Sequence, residues 1–79
     1  MGNSKIILYT GPGCRLCSDA ENLLFQAGLS VSQIEKVDVT SSLDLKKQYG
    51  LKIPVLKNQG SGQELFWPFE FEDLGVFLT

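Results

Sequence analysis

Residues 5 to 10, "KIILYT", are a nearly continuous apolar and β-prone run, the pattern of a strand buried on both faces. "GPG" punctuates it. Between Cys14 and Ala27 the apolar positions Leu16, Ala20, Leu23, Leu24 and Ala27 fall on one face of a 3.6-residue helix. Gly28 suits a left-handed C-terminal cap. In "SQIEKVDV" the residues Ile34, Val37 and Val39 alternate imperfectly with charges, as in an outer strand. Ser41 and Asp44 predict a capping box with Asp in place of Glu, opening a short helix to Tyr49 that Gly50 closes. "PVLKN" and "ELFW" read as a hairpin around "QGSGQ", whose glycines supply positive φ. From about Glu70 to Leu78, the residues Phe71, Leu74, Phe77 and Leu78 stand at helical spacing.

The predicted order is β-α-β-α-β-β-α. A strand–helix–strand opening makes a parallel pair through a right-handed crossover. The hairpin then adds antiparallel strands to the same sheet, giving a four-stranded mixed α/β sheet with helices on both faces.

The chain has 79 residues, which predicts a single domain over 1–79. Apolar residues make up 43% and charged residues 20%, so a packed core is expected and disorder is not. Net charge is −2, with Lys and Arg scattered. Nucleic acid and anionic lipid both require a basic patch, so neither is expected as a partner. No apolar run approaches the roughly 20 residues that span a bilayer, and no signal-peptide core is present. "MGNSKI" has Ile6 where a myristoylation signal needs Ser or Thr. A cytoplasmic monomer is the expectation.

"GPGCRLC" holds both cysteines of the chain, Cys14 and Cys17. Such a pair serves as half of a zinc site, as a buried packing pair, or as a working dithiol. A structural zinc takes four ligands, and with no histidine in the chain a site would need carboxylates or a second copy. No metal is therefore expected. Cys14 falls where a strand has ended and a helix begins, where unpaired N–H groups and the helix dipole favour negative charge. Arg15 adds a positive charge beside it. Cys17, one turn further in, is expected to be covered. Cys14 is thus the candidate nucleophile and Cys17 the resolving thiol. Pro54 starts an apolar run that otherwise reads as a strand, a position that suits either a strand's first residue or a cis bond after Ile53.

With "CRLC" after the first strand, "KIPVL" opening the third and this element order, the chain resembles a glutaredoxin-like member of the thioredoxin superfamily. "YGLKIPVL" and "WPF" place it nearest a short branch of that family. The resemblance implies the minimal thioredoxin fold and thiol–disulfide exchange through Cys14 and Cys17. It implies that Pro54 is cis and packs against the dithiol, and that the main chain of Ile53 hydrogen-bonds an extended thiol substrate. With Arg15, these are the expected substrate-binding residues. Substrates would be protein or low-molecular-weight disulfides, with glutathione or a thioredoxin reductase as electron donor and no bound cofactor.

The chain departs from the family pattern in three places. Arg15 and Leu16 replace a proline and an aromatic residue between the cysteines. "YTGPG" lacks the lysine usual before the first cysteine. Pro68, Phe69, Glu70 and Phe71 stand where Gly-Gly and an acidic or hydroxyl residue would hold the γ-glutamyl end of glutathione. Phe69 and Phe71 would crowd a tripeptide there. The aromatics of "LFWPFEF" read mainly as core, with an exposed one suited to a protein partner. These departures motivate a rival expectation, a thioredoxin-fold protein-binding or redox-sensing module without turnover. A metal or iron–sulfur carrier bridging two chains is a third.

Overall fold

The structure, a computed structural model, describes residues 6–77. Its first strand, β1 (Ile6–Thr10), runs through the middle of the molecule. Its side chains alternate between two buried layers: Ile6 and Leu8 join one apolar cluster, and Tyr9 joins another on the opposite face. That is why the sequence shows an unbroken apolar run here rather than a polar–apolar alternation. Lys5, the expected start of this strand, lies outside the described residues.

α1 (Arg15–Gln26) follows, then β2 (Ile34–Asp38), α2 (Leu43–Tyr49), β3 (Val55–Asn58), β4 (Glu64–Phe66) and α3 (Phe71–Phe77). Turns of 3₁₀ helix at Val31–Gln33 and Val39–Ser41 flank β2. The sheet order is β2-β1-β3-β4, with β1 parallel to β2 and antiparallel to β3, and β3 antiparallel to β4. This is the mixed four-stranded sheet the element order predicts, with β2 on an edge as its charges suggest.

The registers show how the sheet builds its core. Leu8 stands opposite Leu56, and Tyr9 opposite Val55. Leu8 and Leu56 face Ala20 and Leu24 of α1 and Leu74 and Phe77 of α3. Tyr9 and Val55 face Val39 and Tyr49. Helices therefore cover both faces, α1 and α3 on one and α2 on the other. Burial of each such leucine contributes roughly 1.5–3 kcal/mol relative to exposure.

Several local expectations need adjustment. α1 ends as predicted, with Gly28 at φ 97°. The Leu29 N–H bonds the Leu24 carbonyl and the Gly28 N–H the Phe25 carbonyl, the paired bonds of a Schellman cap. At the other end of α1, Leu16 is 44% exposed, and Cys17, Ala20 and Leu24 form the buried stripe. The predicted apolar face was one residue off at the first turn. The cap of α2 is Ser42 rather than Ser41. The Ser41 hydroxyl is already committed to the Asp38 carbonyl in the preceding 3₁₀ turn, so its neighbour accepts the Leu45 N–H at 3.5 Å instead. Phe69 is buried and belongs to the core, whereas Phe71 is half exposed. Leu78, expected in the last helix, lies outside the described residues.

Candidate active site

The dithiol stands where β1 hands over to α1. Gly13, at φ 72°, makes the turn that a side chain would strain. Cys14 then adopts an extended conformation and caps α1: its Sγ accepts the Cys17 N–H at 3.2 Å. Sulfur here takes the place that a serine or aspartate oxygen holds at most helix starts. Cys14 and Cys17 are joined as a disulfide, with Cα atoms 5.4 Å apart, within the range such a bond requires. Cys14 is half-buried, while Cys17 is 5% exposed. The two sulfurs thus differ in access as the sequence predicts. Arg15 is the exposed first residue of α1.

Cys14, Arg15 and Cys17 share a groove of about 540 Å³ with Thr10, Glu21 and Asp38. Its far wall carries an ion pair between Lys36 of β2 and Glu21 of α1, at 3.1 Å. The Thr40 hydroxyl and N–H both donate to Asp38 Oδ1, at 2.6 and 2.8 Å. These bonds hold the Asp38 carboxyl below the usual aspartate range.

Ile53 stands beside the loop that precedes the dithiol, and Pro54 follows it. The Ile53–Pro54 bond is cis, as the resemblance implies. Pro54 is fully buried and accepts the Trp67 N–H on its carbonyl at 3.3 Å. A Cβ on Gly11 would come within 2.9 Å of Ile53 Cδ1, so the glycine lets the two loops approach. The main chain of Ile53 is only partly available to a substrate. Its N–H already donates to the Tyr49 carbonyl at 3.1 Å, beside the Lys52 N–H at 2.7 Å. Its carbonyl has no backbone partner among the described residues. What the Ile53 main chain leaves free is therefore an acceptor.

The sequence reading missed a second groove, of about 500 Å³, on the Ile53 side of the dithiol. Leu16, Leu51, Lys52, Ile53, Phe66 and Trp67 line it. Leu51 is fully exposed, and Lys52 Nζ lies 5.4 Å from the centre of the Phe66 ring. A large apolar residue in the turn "YGLKIP", outside any helical or strand period, was the signal available for it. Trp67 packs edge-on against Phe69 with ring centroids 4.9 Å apart, and the Trp67–Pro68 bond is also cis. At the start of α3, Asp73 Oδ2 accepts the Glu70 N–H at 2.7 Å. The helix closes its first turn with its own carboxylate, and Glu72 adds a further negative charge there.

Among the described residues, no group of three or more His, Cys, Asp or Glu is placed to hold a metal ion. No helix among them is long and apolar enough to cross a membrane.

Residues 5–79 match the family described as Glutaredoxin-like domain (DUF836). No curated protein matches the chain. The chain is similar to the protein XcR50 from X. campestris, known from an X-ray structure. They share 34% sequence identity over 92% of this chain and 93% of that one, with a TM-score of 0.81. It also resembles Ne2328 from Nitrosomonas europaea, whose solution structure matches with a TM-score of 0.75 at 23% identity, covering 96% of this chain and 92% of that one. That second likeness is one of fold. The chain belongs to the glutaredoxin-like domain family, and its architecture is the minimal thioredoxin fold.

Proposed function

We propose that this protein is a thiol–disulfide oxidoreductase in which Cys14 attacks and Cys17 resolves. The observation that carries the reading is the Cys14 sulfur seated as the N-cap of α1, accepting the Cys17 N–H. A thiolate in that position gains a hydrogen bond to its charged form and the favourable end of the helix dipole. Its pKa then falls below the free-cysteine value of about 8.5, and more of it is nucleophilic at neutral pH.

The reduced protein would act in two exchanges. The Cys14 thiolate attacks one sulfur of a substrate disulfide, forming a mixed disulfide and releasing the other substrate sulfur as a thiolate. The Cys17 thiol loses its proton and attacks Cys14 Sγ, which releases the second substrate thiolate and leaves the Cys14–Cys17 disulfide. The substrate gains two electrons and the protein dithiol loses them. An external thiol reductant, for which glutathione and a thioredoxin reductase are the candidates, would reopen the disulfide. The buried position of Cys17 favours the intramolecular step, because the sulfur within its reach is that of Cys14.

The test is turnover of a disulfide substrate with dithiothreitol as reductant, in wild type, Cys14→Ser and Cys17→Ser. Cys14→Ser is expected to lose turnover, and Cys17→Ser, reduced, freed of dithiothreitol and mixed with the substrate disulfide, to accumulate the mixed disulfide, seen as added mass on the intact protein. A Cys14→Ser variant as active as wild type would overturn the assignment.

A further inference from the structure

For Cys17 to attack Cys14 Sγ, its proton must leave a side chain that is 5% exposed. Among the described residues no polar or charged side chain is buried, so the acceptor stands in the groove that Cys17 lines beside β2. Leu8 is paired with Lys36 and Thr10 with Asp38 across β1 and β2, and all of them line this groove. Cys17 and Glu21 line it from α1. The charged groups here are Arg15 and Glu21 from α1 and Lys36 and Asp38 from β2, and β1 supplies none. Glu21 and Asp38 are the carboxylates among them. Asp38 is committed, since the Thr40 hydroxyl and N–H both donate to its Oδ1. Those bonds stabilise its charged form and make it a poor base.

Glu21 stands one turn after Cys17 on α1, which puts their Cβ atoms on one helix face about 5–6 Å apart. Helix side chains tilt toward the N-terminus, so Glu21 leans toward Cys17 rather than away from it. Lys36 Nζ holds Glu21 Oε2 at 3.1 Å. That contact fixes the carboxylate at the groove wall and leaves Oε1 for a proton. We propose that Glu21 is the proton acceptor for Cys17 in the second exchange. This rests on the oxidoreductase reading above and adds a residue to it. The Cys17 S–H proton passes to the Glu21 carboxylate, directly or through one water, as Cys17 Sγ bonds to Cys14 Sγ. The bond from Cys14 to the substrate sulfur breaks, and that sulfur leaves as a thiolate with the electron pair. Glu21 is partly exposed and returns the proton to solvent.

The experiment is a stopped-flow single turnover of the pre-reduced full-length protein with dithiobis(nitrobenzoate), a symmetric disulfide whose released thiolate is coloured. Attack by Cys14 releases the first coloured thiolate and attack by Cys17 the second, so the two exchanges are read as two phases. Glu21→Gln is expected to slow the second phase about tenfold or more at neutral pH, the loss of a general base, and to leave the first phase unchanged. The second phase of wild type should be nearly flat around neutrality. In Glu21→Gln it should climb in proportion to hydroxide. Sodium formate should restore the second phase of Glu21→Ala in proportion to its concentration, because the groove is open enough to admit a small carboxylate. Asp38→Asn should keep the second phase and its flat profile.

A second phase unmoved by Glu21→Gln, or a Glu21→Ala variant that formate does not accelerate, would overturn this inference while leaving the oxidoreductase standing. So would equal slowing of both phases, which a merely structural role produces, or an Asp38→Asn variant as slow as Glu21→Gln. Failure of the wild type to release either coloured thiolate would instead overturn the parent reading and this one with it.

Discussion

Cys14 Sγ accepts the backbone N–H of Cys17 across the first turn of α1, at 3.2 Å. The donor belongs to the main chain, so it does not depend on the side chain at position 17. The proposed acidity of the nucleophile is thus built into the helix start, and the neighbouring Arg15 side chain adds to it only from solvent.

Arg15→Gln accordingly has a modest effect. Charge interactions at exposed sites amount to about 0.2–1 kcal/mol, which converts to a rise in the Cys14 pKa of about half a unit. In 1 M salt, where the screening length is about 3 Å, the difference between variant and wild type should vanish. Alkylation of the reduced proteins as a function of pH, at low and high salt, checks both statements. A salt-independent rise of two or more units would show that the guanidinium governs the thiolate.

Tyr49 ties α2 to the edge strand. Its ring stacks on Tyr9 with centroids 4.2 Å apart, and its hydroxyl donates to Glu64 Oε2 of β4. Burial and this bond to the Glu64 carboxylate raise the phenol above the ordinary tyrosine range. The folded phenol keeps its proton where the unfolded one, with a pKa of about 10, has begun to lose it. This contribution to stability is therefore whole below pH 10 and is lost as pH rises beyond it. Tyr49→Phe should cost about 1–3 kcal/mol at neutral pH, as for a hydrogen bond to a charged acceptor. The variant should also lose less stability than wild type on raising the pH past 10. Urea denaturation at pH 7 and at alkaline pH measures both, and equal alkaline slopes would contradict the assignment.

Gly50 ends α2 at φ −55°, a conformation open to any residue. What reserves the position for glycine is space, because a Cβ would run into the Lys46 carbonyl of the helix itself. Backbone cannot swing aside as a side-chain tip can. Gly50→Ala should cost about 1–3 kcal/mol, as overpacking does. The last turn of α2 would shift, and with it the Tyr49 carbonyl that holds the Lys52 and Ile53 N–H groups. Thermal denaturation gives the cost. A variant as stable as wild type would show that the turn accommodates the methyl group freely.

The parts of this molecule that were legible in the sequence are those set by short-range pattern. The run "KIILYT" marks a strand between two layers, and Gly28 marks the end of α1. The placement of Cys14 at a strand-to-helix junction follows from the same periods. Where the reading slipped, a competing local or distant contact decided the outcome. Ser41 lost the cap of α2 because its hydroxyl bonds backward to Asp38. Leu16 shares the helical period of Ala20 and Leu24, yet the first turn of α1 leaves it exposed beside the dithiol. The groove around Leu51 and the Tyr49–Glu64 bond join segments well apart in sequence. Periodicity within one element carries no information about them. The occupied N–H of Ile53 was likewise invisible, since it depends on how the turn after α2 closes on Tyr49.

The most direct test of the account is the pH dependence of alkylation of the reduced protein, with mass spectrometry to identify the modified cysteine. The account predicts that Cys14 reacts first and titrates well below the free-thiol value of about 8.5, with Cys17 slow throughout. Two cysteines reacting alike, at or above that value, would contradict the claim that the start of α1 makes Cys14 a nucleophile.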